Sequence, residues 1–468
     1  MSLELEETSM EEQFLELVRS DDVLRIKEFL NHQNISDVAE LIGNNPDYES
    51  QIVANMSIHR AASVFKILDT PAQKNIIRDL PPLKTAELLN ELPADDRTAF
   101  LEELPNEVVK ELIRTLDPEE RRVTLSLLGY PEGSVGRLMT PDYIAVQQEW
   151  TVQEVLYQIR QVGKDSETID VIYVVDEKGI FIDDVRIREI ILATPDKKMS
   201  EIIDNRYIAL NVNDEQEVAY ETFKMNNRVA LPVLDDNQLL LGIVTIDDVL
   251  WVASEEYTED IQKIGGTEAL DEPYLETPFF KLIRKRVGWL IILFLSEMLT
   301  ATAMAYYNDE LGKMLILVNF IPLIMSSGGN SGSQASTLII QAMALKEVTL
   351  ADWWRVMRRE ILSGFVLGSI LGLIGFIRIF IWHLLMAKGI FHDIYGEHWL
   401  MVGFTVSFSL IGVVLWGTLS GSMLPILLKK LGADPASSSA PFVATLVDVT
   451  GLIIYFNVAL IFMNGFLH

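Results

Sequence analysis

The sequence predicts a multidomain fold. An all-α N-terminal helical superhelix is followed by an α/β tandem repeat, a connecting helix, and a polytopic α-helical membrane domain of five transmembrane helices. Three observations predict it. Charge divides the 468 residues unevenly: 281–468 hold 13 Lys+Arg and 10 Asp+Glu, whereas 1–280 hold 25 and 57, within a net charge of −29. Apolar segments at roughly 287–307, 314–344, 360–386, 399–428 and 440–466 are each long enough to cross a hydrocarbon core of about 30 Å. Prolines 71, 81, 93, 105 and 118 recur every ten to thirteen residues before the first strand-like run.

Residues 1–130 read as short helices. Proline is tolerated in a first helical turn and breaks a helix elsewhere, so each of the five marks a new start. Between them Ala86, Leu88, Leu89 and Leu92, or Val108, Val109, Leu112 and Ile113, recur at helical spacing. Such units cannot bury their faces alone and should stack as a solenoid. Asp95 and Asp96 are either a solvated face or metal ligands. The opening MSLELEETSMEEQF lacks a basic and apolar leader and is expected to stay in the cytosol.

Residues 131–255 fall into two passes, about 136–198 and 199–255, of strand, helix, strand, strand and helix. VIYVVDEKGI (171–180) and VALPVLDDNQLLLGIVTIDDVLWVA (229–253) carry β-branched runs separated by an acidic turn. With MTP at 139–141 and GIVTIDD at 242–248, this region resembles a tandem pair of cystathionine β-synthase (CBS) domains. Such pairs are regulatory modules that often bind adenine nucleotides through a Thr or Ser and an Asp three residues on, matched here by Thr245 and Asp248. In the first repeat Ile182 and Asp183 stand where a second glycine is usual. Asp248 capping its helix is the alternative to a ribose contact.

The connecting (plug) helix is expected over 256–284. EEYTED (255–260) sets Glu255, Glu256, Glu259 and Asp260 along one side of a helix. Like charges at that spacing are destabilising unless neutralised, and a divalent cation bridging to acids of a neighbouring domain would do so. PFFKLIRKRVGW then combines an apolar face with Lys281, Arg284, Lys285 and Arg286, as at a cytoplasmic membrane surface.

Within the membrane domain, 285–468, basic residues cluster before the first segment, between the second and third, and between the fourth and fifth. The alternate loops hold only Lys313 and Lys388. The N-terminus is therefore expected inside and the C-terminus outside. PLIMSSGGNSGSQ (322–334) is too small and polar for an ordinary lipid-facing helix. It is either a tight packing seam or the lining of a water-filled cavity. Glu297, Asn330, Arg378, Asp434 and Asp448 also break the apolar rule, and an acid at mid-membrane costs roughly 2.5–3.5 kcal/mol unless it meets a partner, water or an ion. Asp448 is the deepest acid of the last segment, with the Ala444 carbonyl one turn away. Pro441 removes an amide and is expected to leave carbonyls free at that helix end. Oxygen ligands without His or Cys suit Mg²⁺ or Ca²⁺, and two copies of Asp448 on a two-fold axis would hold a hydrated ion.

The zero cysteine count excludes disulfides, thiolate sites and cysteine catalysis. The acidic body argues against nucleic acid and for cations. The Gly-rich stretch lacks the Lys and preceding strand of a phosphate-binding loop, and no nucleophile–base constellation appears, so no enzyme is expected.

On PLIMSSGGNSGSQ and DPASSSAPFVATLVDVTG (434–451), the chain resembles an MgtE-type magnesium transporter along essentially its whole length. The resemblance implies a homodimer in lipid of a bacterial plasma membrane. Its Mg²⁺ pore site would be lined by Asp448 and the Ala444 backbone, with Asp434 and Asn330 as further candidates. It also implies that cytosolic Mg²⁺ holds the gate closed at acids of the N, CBS and connecting parts. The candidates are Asp95, Asp96, Asp214, Glu217, Asp235, Asp247, Asp248, Glu255, Glu256, Glu259 and Asp260. ATP or another adenine nucleotide would be a regulator of the CBS pair. A coupled carrier, a route for another divalent such as Co²⁺, and a non-transporting sensor are the alternatives.

Overall fold

The computed structural model describes residues 10–20, 22–270, 273–275, 277–307, 315–388, 395 and 398–463. Lys313, used above for orientation, lies outside the described residues. The chain forms two compact units, Met1–Glu256 and Tyr257–His468.

The first unit opens with the helical N-terminal region. Pro71 and Pro118 fall in the first turns of Thr70–Asp79 and Pro118–Leu127, while Pro81, Pro93 and Pro105 cap Pro82–Glu91, Ala94–Glu102 and Asn106–Thr115. The missing amide thus falls each time where a helix has no use for it. Leu88, Leu89 and Leu92 join Phe65 and Phe100, whose rings meet edge to face at 5.2 Å, in one buried core. Arg97 is fully buried among them. Its guanidinium donates to Thr124 Oγ1 at 2.9 Å, to the Leu89 carbonyl at 3.1 Å and to Glu120, so a buried cation ties three helices together.

Two small sheets follow. In the first, β1 (Ala145–Gln147) pairs parallel with β2 (Val171–Val175), which pairs antiparallel with β3 (Phe181–Arg186). In the second, β4 (Leu210–Asn211), β5 (Ala230–Leu234) and β6 (Leu240–Thr245) repeat that order. Helices α1 (Val152–Val162) and α2 (Ile187–Leu192) belong to the first pass, and α3 (Gln216–Asn226) and α4 (Ile246–Ile264) to the second. The parallel β1–β2 and β4–β5 pairs require the intervening helices as crossovers.

The second unit is built on α5 (Phe279–Tyr306), α6 (Ile321–Ala344), α7 (Trp353–Ala387), α8 (Trp399–Lys430) and α9 (Ala440–Met463). Four helices among the described residues, Phe279–Tyr306, Leu350–Ala387, Trp399–Lys430 and Ala440–Phe462, are long and apolar enough to span a membrane. The expected second span, α6, is a continuous helix of 24 residues whose middle carries Ser326, Ser327, Asn330, Ser331 and Ser333. Its glycines interlock with α8. A methyl on Gly417 or Gly421 would run into the carbonyls of Gly328 or Gly332, and one on Gly332 would stand 3.0 Å from the Gly417 carbonyl. Small residues let the backbones close without lipid between them. On the other side, a Cβ at Gly368 or Gly372 of α7 would lie 2.8 Å from Ile411 Cα or the Ser407 carbonyl of α8.

Pro441 lies in the first turn of α9, where its missing amide frees no carbonyl. The carbonyls nearby are taken: Ser333 Oγ donates to Ala440 O at 3.0 Å and Ser336 Oγ to Ser438 O at 2.9 Å. The expectation of free oxygens at this end is therefore corrected.

Candidate functional site

Within the first unit, acids from three sources gather around one lysine. The helix Ala94–Glu102 sets Asp95 and Asp96 in its first turn, and α4 begins directly after β6, which places Asp247 and Asp248 in its own. Both positions face the positive end of a helix dipole. Lys66, at the end of Ile58–Phe65, puts Nζ 3.4 Å from Asp96 Oδ2 and 3.8 Å from Asp247 Oδ2. Glu167, from the chain between α1 and β2, also acts on Lys66.

The electrostatics follow from crowding and burial. Burial pulls the Lys66 pKa down, but Asp96, Glu167, Asp247 and Asp248 outweigh it, and the ammonium ends above its usual range. Asp95 is buried, and its Oδ1 has no hydrogen-bond partner among the described residues. Burial and the Asp248 charge push its pKa well up. Burial likewise raises Asp96, against the pull of Lys66. Asp248 is pushed up to about 7, chiefly by burial, with Asp247 and Asp96 adding to it. The Thr245 hydroxyl lies 2.6 Å from both Asp247 Oδ1 and Asp248 Oδ2. One hydroxyl proton can serve only one of them, so the second bond needs a proton on a carboxyl.

No three acids or histidines among the described residues converge closely enough to cage an ion directly. Mg²⁺ sheds its waters reluctantly and can be held through them. Other expected regulatory acids are engaged elsewhere. Asp214 Oδ2 accepts the Asn211 amide, and Asp235 accepts the Asn237 and Leu239 amides in the β5–β6 turn. Glu217 is exposed on α3, and Glu256 accepts from Gln216 Nε2 at 3.0 Å. Glu255 experiences the charges of Glu103 and Glu256. Further along α4, Glu259 and Asp260 are half-buried and Lys263 pairs with Glu259, so the chain itself supplies one cation to this acidic face.

Sequence reasoning missed a cavity between the two repeats, where Arg186 of the first and Arg206 and Arg228 of the second meet Asp184, Glu189 and Asp204. Arg228 Nη1 lies 2.6 Å from the Asp184 carboxylate. Asp183, noted above for replacing a glycine, is buried and accepts the amides of Asn205 and of Asp204, a residue of the cavity's lining. Thr245 and Asp248, by contrast, stand among acids that repel a polyphosphate.

In the second unit, Asp448 is half-buried on α9 with no hydrogen bond or ion pair to a described residue, and the charge acting on it is another acid, Glu297 of α5. Ala444, one turn earlier, packs on α6: a Cβ at Gly329 would lie 3.6 Å from its Cα and 4.0 Å from its carbonyl oxygen. Asn330 is exposed on α6 with Ser326 one turn away, and its amide reaches the Ser326 hydroxyl at 3.4 Å. Asp434 does not join them. It precedes the turn Pro435–Ser437, accepts the Ala436 amide at 2.8 Å, and pairs with Lys263 at 2.7 Å. Arg378 is exposed on α7, over the Trp382 ring.

The chain matches three family models. These are a divalent cation transporter domain at residues 321–458, the MgtE intracellular N domain at 33–133, and CBS domains at 135–196 and 199–255. The magnesium transporter MgtE of Thermus thermophilus is 38% identical over 350 residues, 75% of this chain and 74% of that protein. Its namesake in Enterococcus faecalis is 29% identical over 463 residues, 98% of each chain. A crystal structure of the soluble part of a magnesium transporter superposes on 53% of this chain and 99% of its own, at 25% identity and a TM-score of 0.50.

Proposed function

The chain belongs to the MgtE family of magnesium transporters, and from that premise we propose a homodimeric Mg²⁺ channel whose pore is lined by Asp448 and Ala444. It closes when cytosolic Mg²⁺ binds the acids around Lys66 and along α4. The carrying observation is Asp448: a carboxylate on an apolar helix, without a cation partner among the described residues and under the charge of a second acid. Such a group needs an ion, water or a second copy. Asn330 and Ser326, exposed on α6, offer uncharged oxygens on the helix that packs against Ala444, for the waters of a hydrated ion.

A second copy is supported by surface. No described residue of α5 is buried, and the repeats expose Ile191, Leu192, Met225, Leu250 and Trp251 on their helices. Exposed large apolar side chains on the repeat helices are candidates for such an interface. In this reading α6 is the fifth crossing, which puts the N-terminus in the cytosol of a bacterial cell and the C-terminus outside. An adenine nucleotide, if it regulates the pair, belongs in the arginine-lined cavity, where guanidinium groups meet phosphate and carboxylates meet ribose hydroxyls.

The test is Mg²⁺ influx into liposomes holding the purified full chain, with Mg²⁺ varied on the cytosolic side. Influx that falls as cytosolic Mg²⁺ rises supports the reading. Absence of influx under all conditions sinks it.

A further inference from the structure

Several contacts within the second unit converge at the end of α4. Lys263 Nζ lies 2.7 Å from Asp434 Oδ2 and pairs also with Glu259, one turn back. Partial burial draws its pKa down, but the two carboxylates outweigh this and keep it a firmly charged ammonium. Asp434 caps the turn Pro435–Ser437 that leads into α9. Beyond α4, Gly266 has φ +77, and a Cβ there would lie 2.8 Å from the Trp289 ring of α5 and 3.2 Å from Pro441 Cγ of α9. Trp289 Nε1 donates to Ser439 Oγ at 3.0 Å, and its ring packs against Phe442 at 6.2 Å. The segment leaving α4 therefore touches α5 about three turns from its start and α9 at its beginning, and Asp448 lies about two turns into α9.

We propose that Lys263 is a positioning residue that couples α4 to the pore: its bridge to Asp434 transmits a displacement of α4 to the start of the helix carrying Asp448. The role rests on the channel reading above. A partly exposed ion pair contributes little to folding, so its loss should act on regulation and leave the fold intact. A lysine suits the place because a compact ammonium on a long stem can hold two carboxylates from different elements at once.

The experiment measures Mg²⁺ influx into liposomes against cytosolic-side Mg²⁺ for the parent, Lys263→Met, Lys263→Arg, Lys263→Asp, and Lys263→Asp combined with Asp434→Lys. Lys263→Met is expected to raise the half-inhibitory Mg²⁺ concentration at least about fivefold, with discrimination against Ca²⁺ unchanged. Lys263→Arg stays close to the parent, and the charge-exchanged pair regains the response that Lys263→Asp alone loses. Half-inhibition in Lys263→Met equal to or below that of a regulated parent overturns this inference alone, as does an equal loss in Lys263→Met and Lys263→Arg. A parent that passes no Mg²⁺ overturns the transport reading and this inference together.

Discussion

The acids around Lys66 and the acid of α9 handle negative charge in opposite ways. In the soluble unit Asp95, Asp96, Asp247, Asp248 and Glu167 crowd together, and the molecule tempers them with one ammonium and with protons held by raised pKa values. In the membrane unit Asp448 has no ion pair among the described residues, and the charge acting on it is that of Glu297. A crowd of buried acids with raised pKa values suits weak, cumulative binding of an ion. A solitary carboxylate in apolar surroundings suits an ion that must pass. On the proposed function, the same Mg²⁺ would serve opposite purposes at two places on one chain.

The sharpest way to break that contrast is Asp448→Ala. Flux through the purified variant in liposomes should fall to background while the protein still inserts and dimerises, and flux equal to the parent would show that the pore site is elsewhere. Next in size is removal of residues 1–130, which takes away Lys66, Asp95 and Asp96. A ligand shifts a closed–open equilibrium only by its differential affinity, so the truncated channel should conduct at Mg²⁺ concentrations that shut the full chain. Its discrimination against Ca²⁺ should stay the same. A truncated form that remains shut at high Mg²⁺ would merge the two roles again.

A smaller effect tests the frame that holds Asp448. Gly421→Ala pushes a methyl into the Gly332 carbonyl and should destabilise the membrane unit by about 1–3 kcal/mol. An unchanged melting temperature in detergent would refute the interlock. The smallest effect is one of pH. Asp248 binds its proton more tightly folded, at about 7 against an ordinary 3.8. The stability it contributes is complete below about pH 4 and is lost as pH rises through 7. Mg²⁺ needs the carboxylate, so thermal protection of the chain by Mg²⁺ should grow between pH 6 and pH 8, by up to about tenfold in affinity per pH unit for each proton displaced. Asp248→Asn should flatten the rise, and a slope equal to the parent's would remove Asp248 from the ion's surroundings.

Much of the fold was legible because it is local. The five prolines fall at helix starts, and the two β-branched passes repeat strand for strand. Of the candidate site the sequence shows only single residues that break a pattern, as Asp448 breaks the apolar run of α9. What stayed hidden depends on partners distant in sequence. Lys66 reads as an ordinary surface lysine until folding sets it between Asp96 and Asp247, and Arg97 gives no sign that it will be fully buried. Nor does the sequence show that Asp434, a candidate for the ion path, pairs with Lys263, 171 positions away. Asp214 and Asp235 accept backbone amides in turns, a use that short acidic residues share with ligation and that spacing alone does not distinguish.

The glycine seam between α6 and α8 has a consequence for measuring motion in this molecule. Where backbones already touch, neither helix can slide without its neighbour, so the two behave as one strut and any movement must be taken up by the helices around them. Because the native chain contains no cysteine, a pair of labels attached through introduced thiols will report only where it is placed. One pair across α6 and α8 should keep the same spacing at every Mg²⁺ concentration. It would be an internal ruler against which changes at α4, α5 and α9 can be read.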